Sequence, residues 1–474
     1  MKKIPYLELI HQLLPDEDQF SAFQKAYQQS IPKSIKFITF KASKADLDPF
    51  FTSEGRKLSS PALTYGGKCY DEVCYVEKNE KKSLWSHFLH QAGFFYVQEV
   101  AAGLSAQVLP LEKGDLVLDL CAAPGGKTIQ LADQLLSLWW GFVLANEPSN
   151  PRRKALIFNL NRCAMFNTAV SAYDGTQIGD LAPESFDKVL VDAPCSGEGM
   201  QYKHDKSVHL WDQKAAEKLA KLQFQLLLSG IKALKVWWTL VYSTCTLNPL
   251  ENEGVISQLL SQFWNAVSLE LVPIDQKSPW FTHFAGQELL SASDAEKLAR
   301  FRPHLQQTGG FFIAKFRKLA SIPSEKKLDT RTLKTQQREQ SAELQKKVRN
   351  FLYEHWEIDQ SSDFHFFASS QAIYVTHRDF SKLPSSLFIE KSWIPIVKIG
   401  FKGERIPQQG LATVFGDQAR KYSSELDNQQ TQILSERGIL EGKFGDQGQF
   451  LILKWRGKGF ALGKQGEQAI KVRF

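Results

Sequence analysis

Between residues 114 and 316, near-continuous apolar runs recur and each stops at a small or polar turn. "LVLDLCA", "GFVLANE", "TAVSAYD", "FDKVLVDAP" and "TLVYSTC" predict five strands buried on both faces of a parallel sheet. Helical segments separate them. In 212–235, Ala215, Leu219, Leu222 and Leu226 fall at helical spacing and predict one apolar stripe packed on that sheet. Alternating strands and helices of this kind specify a doubly wound α/β domain, with ligands at the carboxyl ends of the strands. Residues 1–100 mix helical stretches with a basic segment, "SIPKSIKFITFKASK". Residues 319–345 are dense in charge and glutamine, as in a linker running into an exposed helix. Beyond them, "DFHFFASSQAIYVTH", "WIPIVKIGFKG" and "GQFLILKWRGKGFALG" are β-rich with frequent glycine turns. Two small modules are expected there, 346–405 and 406–474, after a central domain of 101–318.

The length of 474 residues fits about three domains, and 43% hydrophobic with 23% charged residues is the balance of a soluble globular protein. The N-terminus has no secretory pattern, and no run approaches the roughly 20 apolar residues of a membrane span. A cytoplasmic protein without membrane contact is expected. Cysteines at 69, 74, 121, 163, 195 and 245 show no metal-ligand spacing, so free thiols and no metal are expected. The net charge of +7 says little by itself. In the tail "LKWRGKGFALGKQGEQAIKVRF", Lys454, Arg456, Lys458, Lys464, Lys471 and Arg473 interleave with aromatics and glycines. That pattern suits either a solvated face or a patch that tracks phosphates.

The first strand runs into "DLCAAPGGKT", where Pro124, Gly125 and Gly126 let the backbone pass close to a ligand at the next helix start. The G-x-G-x-x-G fingerprint is absent. A P-loop would need glycine where Cys121 stands. Glu147 at the tip of the second strand is placed to take ribose hydroxyls, and Asp174 at the tip of the third to accept from an adenine amino group. Each acid alone is more often a solvated strand end; together with the glycine turn they point to an adenosine-bearing cofactor. The fourth strand ends in "DAPCSGEG" and the fifth in "YSTCT". An isolated cysteine is usually a small core residue. Two thiols at adjacent strand ends suit pyrimidine chemistry: a thiolate adding to C6 makes C5 nucleophilic, and an acid such as Asp192 assists the addition.

"LDLCAAPGGKT", "ANEPSNPRR", "FDKVLVDAPCSGEG" and "LVYSTCTLNPLENE" resemble, in order, the motifs of the Nol/Nop/Sun family of RNA cytosine-C5 methyltransferases. The resemblance extends through "GFFYVQE" and "RFRPHLQQTGGFFIAKF". It implies a Rossmann-like class I methyltransferase domain using S-adenosyl-L-methionine, an N-terminal α/β RNA-binding region and a C-terminal PUA-like module. It further implies that Ala123, Pro124, Gly125, Gly126, Lys127 and Thr128 line the cofactor, with Glu147 on the ribose, Asp174 on the adenine, and Asp192 between cofactor and base. Cys245 would be the nucleophile and Cys195 would assist product release. The implied partner is 16S rRNA, free or within the 30S subunit, with no DNA and a monomeric enzyme. The alternative is a non-catalytic rRNA-binding assembly factor that kept the fold.

Three places depart from the family pattern. "LKVWWTLVYS" puts Trp237 and Trp238 where a Pro-Gly-Gly turn is expected before the fifth strand. Trp139 and Trp140 precede the second strand in place of small turn residues. "SIKFITFK" replaces an Arg-x-Asn-Thr type sequence. Bulky aromatics at glycine turns are expected to strain or reshape them, with consequences for the placement of Cys245.

Overall fold

Five parallel strands, Leu116–Asp119, Phe142–Asn146, Thr168–Ser171, Phe186–Asp192 and Leu234–Thr244, lie in the spatial order third, second, first, fourth, fifth. They are the five apolar runs of the sequence. The antiparallel strand Phe311–Lys318 follows the fifth and carries Val267–Glu270 beyond it, while Ala299–Phe301 also pairs with it, completing an eight-stranded sheet. Such a Rossmann-like sheet needs cover on both faces, and two clusters of buried side chains supply it, around Val117, Val143 and Leu190 on one face and Leu118, Leu144 and Val189 on the other. The computed structural model describes residues 4–472 apart from 78–82, 139, 200–209, 279–280, 285, 324–340, 360–362, 392 and 402. Most of the charged linker segment therefore falls outside the described residues, as does Trp139.

The helix Gln213–Ala233 turns a different face inward from the one its leucines predict. Ala215 and Leu222 are exposed, and the buried positions include Ala216, Gln223, Leu226, Leu227, Gly230 and Ile231. The rotation brings a glutamine inside, and its side-chain amide accounts for the shift. Gln223 Nε2 donates to the Pro194 carbonyl at 2.9 Å and to Glu251 Oε2 at 2.8 Å.

Residues 34–97 build a four-stranded antiparallel sheet in the order Leu58–Ser59, Val73–Val76, Ser34–Phe37, Phe95–Val97. The basic segment of this region is partly interior. Lys36 is fully buried and pairs with Asp133 at 2.9 Å and Glu72 at 3.1 Å. Asp133 is equally buried, on the helix Gly126–Ser137, and also accepts from Thr39 N, Thr39 Oγ1 and Phe40 N. Burial works against the Lys36 charge, but Asp133 and Glu72 outweigh it and hold its pKa above the ordinary lysine value. Lys41 is also buried, donating to the Ala92 carbonyl, and desolvation lowers its pKa to about 8. These two lysines hold the N-terminal sheet together and against the central α/β domain; neither faces solvent.

After the helix Ala342–Trp356, the C-terminal region has two sheets. Phe364–Ala368, Ala372–His377, Ile394–Ile399 and Arg405–Pro407 pair in sequence, and the last strand spans residue 405, where the sequence suggested a boundary. The helix Gln409–Phe415 leads to a five-stranded sheet in the order Ser423–Glu425, Phe450–Trp455, Lys458–Gln465, Ala469–Val472, Ile439–Glu441. Its Trp455 packs edge-on against Phe50 and Phe94 of the N-terminal region. Several bases of the tail are engaged internally: Lys454 donates to the Ala419 carbonyl, Arg456 pairs with Asp46 and Lys458 with Asp417. The first C-terminal sheet docks where the parallel strands begin. His377 N donates to the Phe166 carbonyl at 3.1 Å and Lys382 Nζ to the Gly114 carbonyl at 2.7 Å.

Of the three described tryptophans at the expected glycine turns, two adopt positive φ, 107° at Trp140 and 73° at Trp237. Trp140 stacks on His377 at 4.5 Å, whereas Trp237 is 64% exposed. A side chain at such φ costs roughly 1–2 kcal/mol, partly offset by glycine's freedom in the unfolded chain. Trp237→Gly is therefore expected to raise stability by about 1 kcal/mol in urea unfolding, and an unchanged midpoint would refute the strain. For the buried pair, Asp133→Ala is expected to cost about 3–5 kcal/mol by leaving Lys36 and two backbone N–H groups underpaired. Lys36→Met combined with Asp133→Leu should cost less than Asp133→Ala alone. A double-mutant cycle reading no coupling would remove the pair from the fold's support.

Candidate active site

The strand order reverses between the first and fourth strands, and open α/β sheets bind their ligands outside the carboxyl ends of the strands at such a point. The first strand contributes the turn Ala123–Thr128 and the fourth contributes Asp192. Lys127 Nζ reaches across to Asp192 Oδ2 at 2.7 Å, and Ser243 Oγ of the fifth strand donates to Oδ1 at 2.7 Å. Burial opposes the Lys127 charge, yet Asp192 raises its pKa above the ordinary value, and Cys245 adds to the rise. Phe311 lies under the ammonium at 5.4 Å.

The two thiols predicted from separate motifs meet. Cys195 Sγ and Cys245 Sγ are 3.2 Å apart. Hydrogen bonding to Cys245, then burial, pushes the Cys195 thiol well above its ordinary pKa, so Cys195 holds its proton. Both sulfurs sit on loops fixed by buried polar groups. Glu251, fully buried, accepts from Ser196 N at 3.0 Å, from Ser196 Oγ and from Gln223 Nε2, which holds the loop after Cys195. Thr246 Oγ1 donates to Glu198, Thr244 Oγ1 to Asn252 Oδ1 at 2.6 Å, and Asn252 Nδ2 to the Thr246 carbonyl at 3.0 Å. Arg300 grips Glu253 with 2.5 and 2.6 Å contacts and donates to the Leu247 carbonyl at 2.9 Å. The polar string "NPLENE" is thus interior. A Cβ on Gly199 would meet the Gly310 carbonyl and lie 2.7 Å from the Cys245 carbonyl, so the end of the "CSGEG" loop presses directly on the Cys245 strand.

The turn after the first strand is a tight cradle. Gly125 adopts φ 113°, and a Cβ on Gly126 would stand 2.9 Å from Tyr96 Cε1, which places "GFFYVQE" directly beneath the turn. Ala123 and Pro124 expose their carbonyls to Arg152 (2.9 Å) and Asn159 (3.0 Å). Arg152 also pairs with Glu147 at 3.2 Å and so links the second-strand acid to the turn. Glu147 is buried and caps Ser149 N at 2.9 Å. Asp174 is exposed and its Oδ1 already caps Thr176 at 3.0 Å, the commonplace role for an acid at a strand end. Thr128 Oγ1 donates to Asp119 Oδ2 at 2.6 Å. Two buried acceptors here have no partner among the described residues, Asp119 Oδ1 and Gln98 Oε1. Unpaired acceptors in a closed glycine cradle, with an acid on the neighbouring strand tip, fit a ligand rich in donors, such as an amino-acid ammonium and ribose hydroxyls. The residues fit S-adenosylmethionine. Among the described residues no cluster suits a metal ion.

The motif reading missed Asp119, Arg152, Gln223 and Glu251 as working parts. Asp119, Arg152 and Glu251 all lie inside the family-like motifs, which is the signal the sequence carries for them. Gln223 carried no signal, because a glutamine on an amphipathic helix reads as solvated. Burial raises the Asp119 pKa from 3.8 to about 7. The folded state then binds this proton more tightly than the unfolded chain, so the group's contribution falls as pH rises from about 4 and is lost above about 7. Asp119→Asn is expected to flatten the fall in unfolding midpoint between about pH 5 and about pH 8. Thermal scans of the ligand-free protein check this, and an unchanged slope refutes it.

The profile of the family described as 16S rRNA methyltransferase RsmB/F matches residues 106–317. Ribosomal RNA small subunit methyltransferase F of Vibrio cholerae is 31% identical over 465 residues, covering 97% of this chain and 94% of the relative. The protein of that name from Erwinia tasmaniensis is 40% identical over 326 residues, 67% of this chain, and the match spans 64% of the relative's length. A solved methyltransferase homolog from Pyrococcus horikoshii is 30% identical, with a TM-score of 0.53 over 64% of this chain and 91% of that one. NSun6 of Pyrococcus horikoshii, solved with SFG, shares the fold at 23% identity, with a TM-score of 0.55 over 68% of this chain and 100% of that one. With that likeness extending along nearly the whole Vibrio protein, the chain belongs to the ribosomal RNA small subunit methyltransferase F family.

Proposed function

We propose that this protein methylates C5 of a cytosine in 16S rRNA through a covalent adduct between Cys245 and C6. The observation that carries the reading is the 3.2 Å contact of two thiols at the ends of adjacent strands, beside an Asp192–Lys127 pair and a glycine cradle. Bound in that cradle, S-adenosylmethionine supplies an electrophilic methyl group. The turn Ala123–Thr128 and Glu147 hold it, with Asp174 at the adenine end. The target base reaches the site unstacked, because C6 is attacked from the ring face.

Cys245 attacks C6 as the thiolate, and the electron pair of the C5–C6 bond moves to C5, which becomes the nucleophile. Asp192, held by Lys127 and Ser243, lies at N3 of the base and favours the addition by hydrogen bonding or proton donation there. After methylation of C5, loss of the C5 proton to water restores the C5–C6 double bond and expels the Cys245 thiolate. Cys195 keeps its proton and donates to that departing sulfur, which is its part in release. The N-terminal region and the PUA-like tail hold the folded rRNA through backbone and shape. The active thiol arrangement favours an enzyme over an assembly factor that has only kept the fold.

Cys245→Ala is expected to lower methyl transfer to 16S rRNA by about a thousandfold or more. Cys195→Ala should accumulate a denaturation-resistant protein–RNA adduct, visible as a shifted band, and the double variant should show none. Methyl transfer persisting in Cys245→Ala would overturn the assignment of the nucleophile.

A further inference from the structure

Between the C-terminal end of the helix Ala342–Trp356, the strand Arg405–Pro407 and the strand Phe450–Trp455 lies a groove of ≈ 530 Å³. Phe351, His355, Trp356, Arg405, Tyr422 and Phe450 line it, and no carboxylate does among the described residues. Three of its rings carry a cation. Arg405 lies over Phe351 at 4.8 Å, Lys421 over Tyr422 at 5.0 Å and Lys464 over Phe450 at 5.5 Å. The floor holds an unmet donor. Trp356 is 3% exposed, and its indole Nε1 has no partner among the described residues. A buried N–H without an acceptor is costly in a finished core, and this one is closed beneath the groove floor. The backbone keeps the walls together: Arg420 N and Lys421 N donate to the Trp356 carbonyl at 3.0 and 3.2 Å.

We propose that this groove takes up one unpaired RNA nucleotide of the substrate strand. The base stacks among the aromatic walls, and the flanking phosphates lie against Arg405, Lys421 and Lys464. Stacking platforms combined with cations suit single-stranded nucleic acid. A duplex keeps its bases inside and cannot stack in the groove. A peptide without acidic side chains would bring no counter-charge to Arg405, Lys421 and Lys464. The site belongs to the C-terminal region and engages a nucleotide other than the methylated one. It rests on the reading of this protein as an RNA-modifying enzyme, and deepens it by naming where unpaired RNA is held away from the thiols.

The test uses a fluorescently labelled 4-thiouridine-containing single-stranded oligoribonucleotide of about 12 nucleotides, within the range of known single-strand sites, and the same strand in a blunt duplex. The full-length wild type should bind the single strand more tightly than the duplex. Photocrosslinks should map to the segments 351–356, 405–407, 420–422 and 448–450. The variant carrying Arg405→Ser and Tyr422→Ala should bind the single strand roughly tenfold more weakly, with its melting temperature confirming that it folds. Equal binding by wild type and the double variant, duplex preference, or crosslinks confined to the catalytic domain overturns the proposal. Wild type that binds as expected but transfers no methyl to 16S rRNA leaves the groove standing and refutes the function proposed above, so the two failures are separable.

Discussion

The Lys127–Asp192 ion pair spans the point where the strand order reverses, and the candidate site is arranged around it. Lys127 comes from the first turn of the helix after the glycine cradle, and Asp192 from the end of the fourth strand. Neither side chain would keep its place without the other, because a partly buried charge left alone carries a desolvation cost that the pair offsets. The contact at 2.7 Å therefore fixes the cradle relative to the loop that bears Cys195. Ser243 extends the bond to the fifth strand and so to Cys245, two residues further on. The glycine turn, Asp192 and the strand leading to Cys245 are registered through one carboxylate.

The same economy recurs around that centre. Buried polar groups in this protein stand at the joints between segments, where apolar packing gives contact without direction. Asp133 joins the N-terminal sheet to the cradle helix, Glu251 joins the Cys195 loop to the long helix through Gln223, and Glu253 joins the segment after Cys245 to Arg300. Asp133 and Glu251 are each met by several donors, and Glu253 by Arg300 through both its oxygens, so that each buried charge specifies a geometry. Lys36 and Asp133, the most distant of these partners, lie 97 residues apart in sequence.

That arrangement sets what was legible beforehand. The five strands were legible because a strand buried on both faces is apolar along its whole length, and the turns after them are read from residues that permit close approach. The two cysteines and Asp192 were legible as motif members. What sequence reading lost were the polar residues turned inward. Lys36 and Lys41 look like a basic RNA-facing stretch, and Lys454, Arg456 and Lys458 like a phosphate track. Their carboxylate, carbonyl and ring partners lie far away in the chain, and only the fold brings them together. Gln223 goes with a shifted inward face of its helix for the same reason: pattern reading assigns polar residues to water unless a distant acceptor is known.

The tryptophans at the glycine turns show why an unfavourable local residue need not disturb the chemistry. Trp140 and Trp237 both lie at the amino ends of parallel strands, the edge of the sheet opposite the candidate site. Around Trp237 the fifth strand takes up its extra residues as a bulge. Its register with the fourth strand shifts between Phe186 and Lys188, then runs regularly from Lys188–Thr239 to Asp192–Ser243. A bulge localises a mismatch and leaves the ladder beyond it in step. The antiparallel neighbour reinforces this, pairing continuously from Thr239 to Thr244. By the time the strand reaches Cys245 it is held on both sides, and the strain at Trp237 is confined to a solvent-facing corner. Trp140 keeps its left-handed backbone with support from elsewhere, since its ring stacks on His377 of the C-terminal sheet, whose Lys382 also ties to Gly114. Residues that break the turn pattern thus sit where either a bulge or a docked module absorbs them, and the catalytic edge is built as though they were glycine.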